Sequence, residues 1–289
     1  MSKQTKTILV TGATAGIGRH AALHLAARGH HVIATGRRPD ALAALGAEAS
    51  AAGSRLDTLV LDVTDQASID AAVRAADTLT SGHGVDVLVN NAGYGQLGPL
   101  ELISDADVRK QFETNVFGLL ATTRAFLPSM RRRGAGRIVN VSSVGGRVTF
   151  PLGGAYHASK YAVEAMSDAL RRELATFGID VVVVEPGPIA TEFSDRALQH
   201  AAPYVDPASP YAPLVARAQQ LMSHSERFSA PAKVISEVLT RAIESRRPHT
   251  RYVAPFSSRV MLAVLSALPA RVTDALLLRA TGGRRGAVA

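Results

Sequence analysis

Short apolar runs rich in β-branched residues alternate along the chain with longer stretches rich in Ala and Leu. The runs at 7–10, 31–35, 58–61, 85–89, 137–141 and 179–184 are nearly continuous in apolar residues. Continuous runs of this length read as parallel strands covered on both faces. Between them, residues 17–28, 39–52, 66–80, 104–133 and 155–177 read as helices. Strand–helix alternation gives right-handed crossovers and an α/β fold of Rossmann type. The expected sheet is doubly wound and parallel, with about seven strands in the order 3-2-1-4-5-6-7 and helices on both faces.

After residue 184 the rhythm breaks. Pro186-Gly187-Pro188 opens a segment rich in Pro, Ser and Ala, including Pro203, Pro207, Pro210 and Pro213. A loop that long in a compact domain is usually a lid or a substrate-binding insertion. Residues 232–247 then read as a helix, 251–254 as a last short strand and 258–279 as a broken helical tail. The expected organisation is one domain over 1–289. It has a cofactor-binding and catalytic core at 6–192, a lid at 193–230 and a C-terminal helical tail at 256–289.

With 289 residues and 47% of them apolar, the chain is long enough to bury a large core. It contains no cysteine, which excludes disulfides and thiolate metal sites. The histidines, among them His20, His24, His30, His31 and His83, show no metal-ligand spacing with carboxylates, so no metal site is expected. The net charge of +8 comes from scattered arginines such as Arg37-Arg38, Arg131–Arg133 and Arg284-Arg285. No aromatic-interleaved basic stripe appears, so an anionic cofactor is a better partner than nucleic acid. No apolar signal segment precedes residue 7, and a cytoplasmic protein is expected.

Gly12, Gly16 and Gly18 follow the first strand and open the first helix. Glycine lets the backbone turn tightly and brings a pyrophosphate against the amide donors of a helix N-terminus. The spacing G-x-x-x-G-x-G differs from the G-x-G-x-x-G fingerprint, and alone it is weak. At the end of the second strand, where an acid would bond the 2′-hydroxyl of NAD, the chain has Arg37 and Arg38. A guanidinium fork there matches a 2′-phosphate, so NADP(H) is expected over NAD(H). Asp62 ends the third strand and Asn90-Asn91-Ala92-Gly93 ends the fourth, where ligands of open α/β sheets bind.

Tyr156 and Lys160 stand four residues apart, which places phenol and ammonium on one helical face. A phenol with a pKa near 10 is a poor base at neutral pH. A neighbouring cation favours the phenolate, and lowering the pKa by ~2–3 units takes ~3–4 kcal/mol. Ser143 closes the fifth strand thirteen residues earlier, with Ser142 as the competing hydroxyl. Asn115 shares a helical stripe with Val108, Phe112 and Leu119, and a buried Asn there must be satisfied. His157 points about 100° from the tyrosine and reads as packing or surface.

Together these motifs resemble the short-chain dehydrogenase/reductase superfamily. The resemblance covers about residues 6–192: Thr11-Gly12-Ala13-Thr14-Ala15-Gly16-Ile17-Gly18, the Asn90–Gly93 run, Asn115, Ser143, Tyr156-x-x-x-Lys160, and Pro186-Gly187 with Thr191. It implies Tyr156 as proton donor in reduction and base in oxidation, and Ser143 as holder of the carbonyl oxygen. It implies Lys160 as tuner of the phenol and ligand of the nicotinamide ribose, and Asn115 as organiser of a proton relay to Lys160. Cofactor contacts are implied at Gly12, Thr14, Gly16, Ile17, Gly18, Arg37, Arg38, Asp62, Val63, Asn90, Ala92, Gly93, Pro186, Gly187, Ile189 and Thr191. The last of these would bond the carboxamide.

Segments 90–99 and 145–156, with the tail after Arg251-Tyr252-Val253, are similar to the hydroxysteroid- and retinol-dehydrogenase-like branch. That likeness implies an apolar pocket, walled by Tyr94, Val144, Phe150, Leu152 and the lid, for a hydrophobic ketone, aldehyde or secondary alcohol. A homodimer or homotetramer is expected through helices 104–133 and 155–177. Two other classes remain open: an NADP(H) sensor without turnover, and a peripheral membrane protein using residues 260–268 between Arg259 and Arg271. The same tail fits a lid helix or a dimer contact equally well.

Overall fold

The protein is described here by a computed structural model covering residues 5–226 and 229–280. The remainder of the expected tail at 281–289, with Arg284 and Arg285, and lid residues 227–228 lie outside the described residues. The strands are β1 (Thr7–Val10), β2 (His31–Gly36), β3 (Leu56–Val60), β4 (Val87–Asn90), β5 (Gly136–Val141), β6 (Ile179–Pro186), β7 (Ile189–Ala190), β8 (Ala230–Pro231) and β9 (Arg251–Ala254). Seven make one parallel sheet in the order β3-β2-β1-β4-β5-β6-β9. This is the expected order with 251–254 as its seventh member; β7 and β8 pair with each other between β6 and β9 in the chain.

The helices are α1 (Gly16–Ala27), α2 (Pro39–Ala51), α3 (Gln66–Leu79), α4 (Asp105–Phe112), α5 (Leu119–Arg133), α6 (Gly154–Leu174), α7 (Glu192–Ala201), α8 (Ala212–Glu226), α9 (Ala232–Glu244), α10 (Phe256–Ala267) and α11 (Ala270–Ala280). Alternate strand residues face opposite layers. Ile8, Val10, Val32, Val139 and Val182 pack with Leu25 of α1 and Leu239 of α9. Leu9, Ile33, Leu88 and Ile138 pack with Ala76 of α3 and with Phe126 and Met130 of α5. Both faces are therefore covered, which explains why the strand sequences are apolar throughout.

Two expectations change. The helix expected over 104–133 is divided by a π-helical turn, Glu113–Gly118. The extra residue in that turn rotates the buried face onto Gln111, Asn115, Gly118 and Leu119, while Val108 and Phe112 stay partly exposed. Gly118 there lies so close to β3's outgoing loop that a Cβ would stand 2.7 Å from the carbonyl oxygen of Val63. The expected loop at 193–230 instead contains α7 and α8, linked by a 3-10 turn at Ala202–Tyr204.

One buried side chain ties the sheet to a helix end. Arg137 of β5 is 6% exposed and donates to Asp180 on β6 at 2.6 and 3.1 Å. Its Nη1 donates to the carbonyl oxygens of Ala242, Ile243 and Ser245 at the end of α9, at 2.7–2.9 Å. The cation thus satisfies carbonyls that a helix terminus leaves unpaired. Arg137→Ala removes their shared donor, leaving Ile243 with only Lys6, and is expected to lower unfolding free energy by about 2–3 kcal/mol. Urea denaturation measures this, and a loss under about 0.5 kcal/mol, the size of an ordinary surface change, would contradict the account.

Candidate active site

The turn from β1 into α1 carries the glycine loop. Gly12 has φ +66°, and a Cβ there would lie 2.8 Å from Ala92 Cα. Asn91, whose role was not foreseen, fastens the turn: its Nδ2 donates to the carbonyls of Thr11 and Gly12 at 2.9 and 3.2 Å. Thr11 Oγ1 accepts from the amides of Asn91 and Ala92, each at 3.0 Å. The loop after β4 is thereby clamped to the glycine loop. At the N-terminus of α1, Ala15 offers no side-chain cap. The first-turn amides beside Gly16, Ile17 and Gly18 therefore meet no side-chain acceptor, which suits an anionic group. A cleft of about 540 Å³ opens there, lined by Gly16, His20, Ile189, Thr191 and Asp195 among others.

At the end of β2, Arg37 is 72% exposed and stands 4.0 Å from Asp62. Arg38 reaches the carbonyl of Thr14 only at 3.5 Å. Both guanidinium groups thus have donors to spare at the carboxyl end of β2. Asp62 Oδ1 accepts from the backbone and hydroxyl of Thr64, and Val63 is buried. Asn90 is turned inward: its Nδ2 donates to Thr123 and Asn140, each at 2.9 Å. Thr191 caps α7, accepting from the Phe193 amide at 3.4 Å.

The catalytic candidates converge at the ends of β5 and β6 and the start of α6. Ser143 begins a 3-10 turn, Val144–Gly146, accepting from the Gly145 amide at 3.0 Å and pointing to the Pro186 carbonyl at 3.4 Å. The Lys160 ammonium lies 5.9 Å from the Tyr156 ring centroid and donates to the Val141 carbonyl at 2.9 Å. Asn115 Oδ1 accepts from the Tyr94 amide at 3.1 Å. Its Nδ2 donates to the Tyr94 carbonyl and to Ser159 Oγ, each at 3.0 Å. Gly93 completes the junction: a Cβ there would stand 3.0 Å from Asn115 Oδ1 and 3.7 Å from Lys160 Nζ.

Electrostatically the site differs from the expectation. Burial pushes the Tyr156 phenol up to about 12, opposed by its hydrogen bond with Ser143. Burial lowers Lys160 to about 8, opposed by the carboxylate of Glu164. The protein alone therefore does not make the phenol acidic, because the cation meant to do so is itself desolvated and directed at a backbone carbonyl. His157 is buried, accepts from the Phe150 amide at 3.1 Å and is lowered to about 4 by burial, so its ring is a neutral packing element.

The lid supplies contacts that sequence reasoning missed. Phe193, in the first turn of α7, lies with its ring 5.6 Å from that of Tyr156. It fits a notch at Gly95, where a Cβ would stand 2.9 Å from its ring. Tyr94 faces His200 at 5.6 Å. A second cavity, about 480 Å³, is lined by Leu100, Phe150, Leu152 and Leu278 among others. Of the expected pocket walls, Val144 instead packs in a small core cluster with Val148 and Leu262. No helix among the described residues is long and apolar enough to cross a membrane.

This constellation on a seven-stranded parallel sheet defines a nicotinamide-dependent oxidoreductase. A family model, short chain dehydrogenase, matches residues 6–202. The chain is 36% identical over 276 residues to an uncharacterized oxidoreductase, YbbO, of Escherichia coli K12, covering 94% of each. It is 33% identical over 285 residues to retinol dehydrogenase 16 of Rattus norvegicus, covering 94% of this chain and 88% of that one. The crystal structure of a short-chain dehydrogenase from Streptomyces avermitilis superposes with a TM-score of 0.77 at 34% identity, covering 96% and 98%. The chain belongs to the short-chain dehydrogenase/reductase family, with retinol-dehydrogenase-like relatives, and acts on alcohol or carbonyl groups.

Proposed function

We propose that the protein transfers hydride between NADP(H) and a hydrophobic ketone, aldehyde or secondary alcohol, with Tyr156 as acid and base. The observation that carries this reading is the meeting of Tyr156, Ser143 and Lys160 at the carboxyl end of the sheet, whose first helix begins with an uncapped N-terminus. Ser143 holds the substrate oxygen where charge develops, and Tyr156 exchanges the proton with it. Lys160 places its charge beside the phenol, and Asn115 fixes the 93–94 backbone against α6. When bound, the nicotinamide supplies or accepts hydride and, oxidised, adds positive charge near the phenol. Leu100, Phe150, Leu152 and Phe193 offer the substrate apolar contact.

Reduced-cofactor oxidation with a panel of hydrophobic carbonyls, run beside a Tyr156→Phe control, tests the reaction. Tight cofactor binding without any turnover would favour the sensor reading instead. NADP(H) preference rests on exposed Arg37 and on the lack of an acid at the end of β2. Arg37→Ala is expected to weaken NADPH by roughly 10–100-fold, the worth of a charge-assisted bond, and to leave NADH nearly unchanged. Equal losses for both cofactors would sink the assignment. We also propose self-association through the α4–α6 surface, where Phe117, Tyr161 and Phe177 are 54%, 43% and 41% exposed.

A further inference from the structure

Behind the catalytic residues lies a second polar cluster that the reaction does not use directly. Glu185, the last residue before Pro186 on β6, has a side chain 0% exposed. Glu164, one helical turn beyond Lys160 on α6, has a side chain 8% exposed. Both meet the same atom: Arg251 Nε on β9 lies 3.1 Å from Glu164 Oε2 and 3.3 Å from Glu185 Oε1. Arg251 spends its Nη2 on Asp168 at 2.6 Å, and Arg171 bonds Asp168 at 2.7 Å. Arg147, on the turn after Ser143, reaches Glu185 Oε1 only at 3.4 Å and is 41% exposed.

The remaining oxygens, Glu164 Oε1 and Glu185 Oε2, are buried without a hydrogen-bond partner among the described residues, as is Ser142 Oγ. Ser142 and Glu164 both border Gly146, where a Cβ would stand 2.8 Å from Ser142 Oγ and 3.1 Å from Glu164 Cγ. Two carboxylates sharing one guanidinium nitrogen, each with an orphaned oxygen, cannot both remain charged at low cost. The groups that face Glu185 are Glu164 on α6, Arg251 on β9 and Arg147 on the turn after β5. Asp168, Arg171 and Lys160 surround that set along α6.

We propose that Glu164 and Glu185 form a carboxylate pair holding one proton at neutral pH, and that this pair is a positioning site for the charge on Lys160. Glu185 carries the proton, which removes the repulsion and makes Oε2 a donor. Glu164 carries the negative charge, one turn from the ammonium, and is the group that opposes the loss of its proton. The direction for Glu185 agrees: burial, then the neighbouring Glu164, raise it to about 7 despite the two arginines. The pair's link to turnover rests on the proposed function; its proton does not.

Carboxyl titration by NMR on the full chain labelled with carbon-13 glutamate tests the pair without any substrate. One glutamate is expected to titrate near pH 7, to vanish in Glu185→Gln, and to move down by about one unit or more in Glu164→Gln, where the like charge is gone. Absence of any such titration in the wild-type protein overturns the pair. In turnover, Glu164→Gln is expected to move the alkaline limb of the kcat/KM profile down by about one pH unit, roughly tenfold in rate above it. An unmoved limb with a confirmed titration would overturn the coupling to Lys160. Failure of Tyr156→Phe to abolish turnover would instead overturn the functional reading and leave the pair intact.

Discussion

Tyr156→Phe is expected to reduce kcat/KM for carbonyl reduction by roughly 1,000-fold while leaving cofactor affinity within about twofold. The substitution removes one oxygen, the hydroxyl that hydrogen-bonds with Ser143 while its ring faces Phe193 of the lid. The ring remains, so packing against Phe193 and His157 is retained. Since burial raises the phenol to about 12, the folded protein holds it protonated at neutral pH, the state a donor needs. Oxidation asks for the opposite state and must draw on the charges of Lys160 and of the oxidised nicotinamide. Oxidation should therefore accelerate as pH rises from neutrality toward about 8, where Lys160 begins to lose its charge, and reduction should not. Measurement of both directions in the wild type and the variant decides this, and a variant retaining more than about a tenth of wild-type activity would remove Tyr156 from its role.

The sheet and the catalytic helix were legible because each has a short, repeated signature. Strand β5 announces itself by an apolar run, and α6 by the four-residue step from Tyr156 to Lys160. The lid was illegible for a specific reason. Its prolines suggested a loop, yet Pro203 falls in the turn between the helices and Pro213 in the first turn of α8, where no intrahelical amide is needed. The π-helical turn left no mark because one inserted residue changes the phase of burial without changing composition. The helical stripe drawn through Val108 and Phe112 was thus off by one position, although Asn115 fell on the buried side in either phase.

Other misses concern partners remote in sequence. Glu185 sits in the run IDVVVVEP with nothing nearby to mark it as half of a buried pair. Its companions, Arg251 and Glu164, reach it only through the β6–β9 pairing and the seat of α6 on β6. Asn90 stands at a strand end, and its side-chain amide joins a ladder through Asn140 to Ser167 inside the core. Spacing places a residue at the rim of the sheet; it does not say which way the side chain turns.

The second large effect separates catalysis from stability at Lys160. Its ammonium is fully enclosed at neutral pH, with one carbonyl at 2.9 Å, and burial lowers it from 10.5 to about 8. The folded protein therefore binds fewer protons than the unfolded chain between about pH 8 and 10.5. Stability from this group is lowest below that window and is regained as pH rises through it. The cost at pH 7 is about 3 kcal/mol, at 1.36 kcal/mol per pH unit. Lys160→Met keeps the aliphatic volume, removes that cost and forfeits about 1 kcal/mol of hydrogen bonding to Val141. We expect the variant to be about 1–2 kcal/mol more stable than wild type at pH 7, to lose that advantage near pH 10.5, and to retain less than about a thousandth of the activity. Urea melts at the two pH values, beside single-turnover assays, read all three. A less stable variant at pH 7 would show that the lysine is held by charge partners that outweigh its desolvation, and would weaken the case that Lys160 is kept for function at the expense of the fold.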